Sequence, residues 1–155
     1  RHKALLMKPP TYMNESGRAV GEATRFYKLE PADVVVIHDE LDLALGKIKA
    51  KRGGGHAGHN GLRSITQHIG ADFWRIRVGI GHPGDKERVH GHVLGDFAKA
   101  DGPMVEKMLD AICDASPLIA EEDFNGFMTK VARLINPPKP KKPPQEDQTE
   151  KKNGI

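Results

Sequence analysis

Apolar residues along the chain recur at two spacings, and their alternation predicts strands separated by helices. The Ala4-Leu5-Leu6-Met7 core of His2 to Lys8, stopped by Pro9-Pro10, predicts a buried strand. Asn14 and Ser16 are candidate N-caps for a helix in which Ala19, Val20, Ala23, Phe26 and Tyr27 recur at helical spacing up to Leu29, with Pro31 ending it. Core packing is the expected role of Phe26 and Tyr27, with base stacking as the alternative. Val34-Val35-Val36-Ile37 is β-branched throughout and has no polar face, which predicts a central strand covered on both sides by helices. Lys47 to Lys51 alternates as a half-exposed strand does, and Leu62, Ile65 and Ile69 mark an amphipathic helix behind the glycine-rich stretch Gly53 to Gly61. Trp74 to Ile80 reads as a strand with Ile76, Val78 and Ile80 on one face and Arg75 and Arg77 on the other, and Gly81 to Asp85 as a loop. Met104, Val105, Met108, Leu109 and Ile112 form a helical stripe that Pro117 interrupts or ends; Phe127, Met128, Val131 and Leu134 form a last one. Strands alternating with helices make the class α/β.

Composition narrows this to one soluble domain over residues 1–135 and a Pro- and Lys-rich tail, 136–155, that lacks an apolar residue before Ile155 and is expected to be disordered. The chain has 155 residues, 37% hydrophobic and 29% charged, with a formal net charge of +3. Its longest apolar run, Val34 to Ile37, is far short of the ~18 to 20 residues of a membrane span, so no membrane partner is expected. The lone Cys113 excludes an internal disulfide and a zinc site of paired cysteines, and points to a reducing cytoplasm. Arg1 in place of Met, with no signal-peptide pattern after it, leads us to expect a fragment. Charge is segregated. Gly46 to His92 carries Lys47, Lys49, Lys51, Arg52, Arg63, Arg75, Arg77, Lys86 and Arg88 against Asp72, Asp85 and Glu87, a candidate anion surface. Asp101 to Asp123 is acidic but for Lys107, and would repel a polyanion.

Four stretches carry candidate chemistry: Thr11-Tyr12-Met13-Asn14, His38-Asp39-Glu40-Leu41-Asp42, the glycine loop with His56, His59 and Asn60, and Gly79-Ile80-Gly81-His82-Pro83-Gly84. Three adjoin predicted strands, where loops at carboxyl ends converge in open α/β sheets. A carboxylate at Asp39 can hold and polarise an imidazole, or act as a cap or solvated loop acid. Asp39, Glu40 and Asp42 as magnesium ligands, and His56 with His59 as metal ligands, are weaker readings, because no phosphate-binding lysine motif or nearby Cys accompanies them. The glycine loop matches neither the dinucleotide nor the Walker pattern; Asn60 sits at the start of the following helix, where it caps or meets an anion. An Arg and a Lys on neighbouring strands, as Arg77 and Lys51, can hold one phosphate by fork and point charge, or serve solubility alone. Tyr12 can stack on a base.

With these words in order and spacing (Pro-Thr-Tyr-Met-Asn-Glu-Ser-Gly, His-Asp-Glu-Leu-Asp-Leu, Gly-Gly-Gly-His-Ala-Gly-His-Asn-Gly-Leu, Arg-Val-Gly-Ile-Gly-His-Pro-Gly-Asp), His2 to about Ile135 resembles the bacterial type of peptidyl-tRNA hydrolase. The resemblance implies a single α/β domain with a mixed central sheet and hydrolysis of the ester joining a peptide to the 3′ ribose of tRNA. It implies no cofactor and no metal, and a monomer whose partner is tRNA. By the same resemblance Asn14 holds the substrate carbonyl and the catalytic water, and Asp39 orients and tunes the catalytic histidine. Asn60 binds the peptide backbone or the 3′ end, and Tyr12 makes an aromatic contact. Lys51 and Arg77 clamp the tRNA 5′ phosphate, and His59 is auxiliary. The family's catalytic histidine and a further substrate asparagine fall ahead of residue 1 in the register fixed by Asn14. The chain alone is therefore expected to be weak or inactive as a hydrolase, an RNA-binding piece of such an enzyme being the alternative.

Overall fold

The computed structural model describes residues 2–143, so the tail beyond Lys142 and Pro143 lies outside the described residues. A three-stranded mixed sheet, in the order β1-β3-β2, is built from β1 (Val35–Glu40), β2 (Ile48–Arg52) and β3 (Trp74–Gly79). β1 runs parallel to β3, with Val35 opposite Trp74 and Glu40 opposite Gly79. β2 runs antiparallel to β3, with Ile48 opposite Val78 and Arg52 opposite Trp74.

Helices cover both faces. On one, α4 (Gly102–Ala120) and α5 (Phe124–Ile135) bury Met108, Ala111, Ala115, Phe127 and Val131 against Ile48 and Ile76. On the other, α1 (Ser16–Tyr27) and α2 (Asn60–Ile69) bury Val20, Leu62 and Ile65 with Phe73. Successive residues at the start of β1 reach the two clusters, Val35 the first and Val36 the second, joined there by Val34 just ahead of the strand, as a period of two requires. α3 (Lys86–Leu94) was not foreseen: Val89, Val93 and Leu94 make too sparse an apolar stripe, and its signal was the cap, where the Asp85 carboxylate accepts the Glu87 N–H at 2.9 Å.

Several expectations need correcting. His2 to Lys8 forms no strand, and Leu5, Leu6 and Met7 are exposed, because no described strand offers them a ladder. β1 is an edge strand of the described sheet, not a central one, and Ile37 in its middle is 54% exposed. Phe26 and Tyr27 stack edge to face on the surface, with ring centroids 4.9 Å apart, instead of entering the core. Their face of α1 is not the packed one. That face is Gly17, Val20 and Gly21. Neither Asn14 nor Ser16 accepts a capping bond from α1; the Ser16 hydroxyl donates back to the Met13 carbonyl at 2.8 Å. The helix ends at Tyr27 on Lys28, whose φ of 54° is left-handed, before Pro31 is reached. Pro117 does not stop α4, which continues to Ala120. The proline has no N–H for the Cys113 carbonyl, and the Ser116 hydroxyl donates to that oxygen instead, at 2.8 Å. In α5 the buried terminal residue is Ile135, while Leu134 is 38% exposed.

Candidate active site

Asp39 sits near the carboxyl end of β1. Because β2 is antiparallel, the glycine loop leaves the sheet at its opposite end, beside Trp74, and must return before α2 begins. It does so with three left-handed glycines, Gly53, Gly54 and Gly58, together with Ala57 at φ 47°. The loop delivers His59 to Asp39: His59 Nε2 lies 2.9 Å from Asp39 Oδ1.

His59 also caps α2, its Nδ1 accepting the Leu62 N–H at 3.2 Å. One ring nitrogen is thereby an acceptor, so the proton resides on Nε2 and is donated to the carboxylate. The hydrogen bond from His59 is the main reason the Asp39 carboxyl is held below its ordinary pKa of 3.8, against the opposing effect of burial. Asp39 Oδ2 makes no hydrogen bond to another side chain among the described residues. The His38 ring stands edge-on to His59, centroids 5.1 Å apart, and its Nδ1 donates to the Asp39 carbonyl at 2.7 Å. Its Nε2 is buried without a partner. Neither imidazole thus offers a solvent-facing lone pair: one is occupied by a backbone N–H, the other is shut away from water.

Asn14 and Asn60 stand at neighbouring helix starts. Asn14 is exposed in a 3-10 turn, Met13–Glu15, that leads into α1, and Asn60 is the exposed first residue of α2, with His59 and not Asn60 as the cap. The two helices approach closely at Gly17, whose N–H donates to the buried Ser64 hydroxyl at 2.9 Å. At the helix starts a Cβ on Gly61 would lie 2.7 Å from the Met13 sulfur. Tyr12, 83% exposed, borders an open cleft of ≈ 490 Å³ with Pro10, Thr11, Glu15 and Arg18.

Lys51 and Arg77 share a sheet face on adjacent strands, as the alternation required. They are diagonal, Lys51 lying opposite Arg75 and Lys49 opposite Arg77. Lys51 is exposed. Arg77 is already engaged, its Nε and Nη2 donating to Glu40 Oε1 at 2.8 and 2.5 Å. Arg75 departs from the solvated face expected for both arginines: it is 2% exposed, its guanidinium enclosed by the Gly54, Gly55 and Ala71 carbonyls and the Phe73 ring.

The peptidyl-tRNA hydrolase family model matches residues 1–142. The chain belongs to the peptidyl-tRNA hydrolase family. It is 58% identical over 153 residues to the peptidyl-tRNA hydrolase of Parvibaculum lavamentivorans, covering 98% of this chain and 73% of that relative. Identity to the Gluconobacter oxydans peptidyl-tRNA hydrolase is 59% over 133 residues, 85% of this chain and 70% of the relative. For the Agrobacterium fabrum peptidyl-tRNA hydrolase it is 59% over 130 residues, 84% of this chain and 55% of the relative. Among solved structures, the peptidyl-tRNA hydrolase of Acinetobacter baumannii superposes with a TM-score of 0.74 at 43% identity, over 79% of this chain and 62% of that one. The chain thus spans between about half and three quarters of the lengths of these relatives.

Within this family member, sequence reasoning missed Ser64, Arg75 and the cap made by His59. A serine in mid-helix and an arginine in an alternating strand read as solvated, and only the depth of packing distinguishes them. His38 and Asp39 also make acid sensitivity predictable. Burial lowers the His38 pKa, so the unfolded chain takes up a proton near 6.5 before the folded one does, and stability declines as the pH falls from there toward the folded-state value. For Asp39 the unfolded value is 3.8, so its contribution is complete above about pH 4 and is lost below it. The urea midpoint followed against pH should show both declines, and His38→Gln should flatten the first while leaving the second; identical profiles for both proteins would rule out His38.

Proposed function

We propose that the site built on Asn14, Asp39 and Asn60 serves hydrolysis of the ester between a peptide and the 3′ ribose of tRNA, in a monomeric enzyme of the cytoplasm. The observation that carries this reading is the Asp39 carboxylate held ionised by His59 at 2.9 Å with its second oxygen open. A carboxylate so placed stabilises an imidazolium as a histidine takes a proton from water. Asn14 donates to the developing oxyanion, Asn60 binds the peptide backbone or 3′ end, Tyr12 supplies an aromatic contact, and the ribose oxygen leaves. His59 is auxiliary, holding Asp39 and the start of α2 together.

The base is assigned, by family resemblance, to a histidine without a counterpart in these 155 residues, and the engaged nitrogens of His38 and His59 support that assignment. Residues 1–155 expressed alone should therefore hydrolyse N-acetylaminoacyl-tRNA weakly, while the protein as its gene encodes it turns the substrate over, unaffected by EDTA. Binding of tRNA with no turnover by the encoded protein would make it an RNA-binding module, and loss of turnover in EDTA a metal-dependent hydrolase.

Lys51 and Arg77 are the proposed clamp for the tRNA 5′ phosphate. Arg77 Nη1 has no partner among the described residues, so a phosphate can add to the guanidinium without displacing Glu40. Lys51→Ala with Arg77→Ala should raise KM for tRNA-linked substrates and spare kcat at saturation, because the contact is common to ground and transition states. The slope of log K against log salt should flatten by roughly one unit for the phosphate lost. A double variant with wild-type KM and slope would leave both as solvated strand charges.

A further inference from the structure

Arg75 is the least expected charge in the molecule. It is 2% exposed, and no carboxylate among the described residues bonds to it. Its Nη1 donates to the Gly55 carbonyl at 2.9 Å and its Nη2 to the Gly54 carbonyl at 2.7 Å, with a longer contact from Nη2 to the Ala71 carbonyl at 3.3 Å. The guanidinium carbon lies 4.3 Å from the centre of the Phe73 ring. Burying a cation is costly unless it is well bonded, and here the compensation is made wholly by backbone oxygens and one aromatic face.

Those oxygens belong to the segment least able to order itself. Gly53-Gly54-Gly55 and Gly58 carry no side chains to pack, and a Cβ on Gly55 or Gly58 would meet nothing within 4 Å. Besides the Arg75 fork, Gly53–Gly58 is held by the Gly53 N–H on the Phe73 carbonyl, at 2.9 Å, and by turns around His56. Fixing such a glycine run is entropically expensive. Yet it joins Lys51, whose Nζ would lie 2.9 Å from a Cβ on Gly54, to His59 and Asn60. The Ala71 carbonyl, just beyond the C-terminal end of α2, ties the far end of that helix to the same guanidinium.

We propose that Arg75 is a positioning residue that clamps the glycine loop, setting the separation between the Lys51 phosphate contact and the His59–Asn60 end of the site. This rests on the functional reading above. A planar fork holds two successive carbonyls in fixed directions, which a rotating ammonium does not. Charge alone is therefore insufficient, and Arg75→Lys should fail almost as fully as Arg75→Met.

The test uses the protein as its gene encodes it. Both variants should raise amide exchange at Gly53–Gly58 by about tenfold or more while α4 and α5 stay protected. Both should also lower kcat/KM for N-acetylaminoacyl-tRNA by roughly 10- to 100-fold, mainly through KM, as expected when binding groups are displaced by an ångström. Rescue by lysine, or unchanged loop exchange, would overturn the clamp. If neither variant folds, the wild-type Arg75 Nη protons decide: resolved, slowly exchanging resonances support the fork, and a single averaged signal refutes it. Loop exchange that responds in a protein without hydrolase activity would retain the clamp and remove the functional reading.

Discussion

Asp39→Asn, in the protein as its gene encodes it, should lower kcat by roughly 10²- to 10⁴-fold, the usual contribution of a positioned acid–base partnership, while tRNA binding changes little. The asymmetry follows from where the carboxylate acts. Its negative charge matters most when an imidazolium has formed, so removing it destabilises the transition state more than the ground state. The amide is nearly isosteric and still accepts the proton of His59 Nε2 through its oxygen, so the cap on α2 and the position of Asn60 are expected to survive. Steady-state kinetics with N-acetylaminoacyl-tRNA, paired with tRNA titration, separates the two effects. An unchanged kcat would reject the role given to Asp39, and a parallel loss of tRNA affinity would make it structural.

Gly17→Ala should be among the most damaging single-methyl additions. A Cβ there would lie 2.0 Å from the Ser64 carbonyl oxygen and 2.5 Å from His68 Nδ1, and neither helix backbone can yield locally. α1 and α2 must move apart, breaking the Gly17 N–H to Ser64 hydroxyl bond at the same time. Overpacking of this kind costs typically ~1 to 3 kcal/mol. Leaving a buried hydroxyl acceptor unpaired adds about 1 kcal/mol or more, out of a total of roughly 5 to 15. The melting temperature should fall by about 5 to 15 °C. Gly91→Ala is the contrast: its Cβ would meet nothing within 4 Å, and helix propensity alone should make α3 more stable by about 0.5 to 1 kcal/mol. Equal melting temperatures for the two variants would mean that the helix contact is looser than described.

Much of this arrangement was legible in the chain. Trp74 to Ile80 and Lys47 to Lys51 alternate with period two and became β3 and β2 to within a residue or so, and Leu62, Ile65 and Ile69 set α2. What the pattern could not carry was context. Val34 to Ile37 has the composition of a doubly covered strand, but the number of neighbours it finds depends on other segments, and in the described sheet it has one. Phe26 and Tyr27 fit the α1 period, yet the close packing at Gly17 and Gly21 turned a different face to α2. Arg75 and Arg77 are indistinguishable by spacing, though one is buried against the glycine-loop carbonyls and the other pairs with Glu40. The stretches singled out by residue type contained Asp39, Asn14 and Asn60, while the substrate roles of the two asparagines came from the family resemblance alone. That His59 would take both Asp39 and the α2 cap required the return path of the glycine loop, which only the antiparallel β2 dictates.

The central proposal, that Asn14, Asp39, His59 and Asn60 receive the peptidyl end of tRNA, is tested most directly by titrating 15N-labelled protein with a 3′-(N-acetylaminoacyl)amino-adenosine. This is an amide that mimics the substrate end and resists hydrolysis. Saturable amide shifts should concentrate at Met13 to Gly17, Asp39 to Glu40 and Gly58 to Leu62, and Asn60→Ala should weaken them. Shifts confined to α4 and α5, or none up to millimolar ligand, would contradict the account.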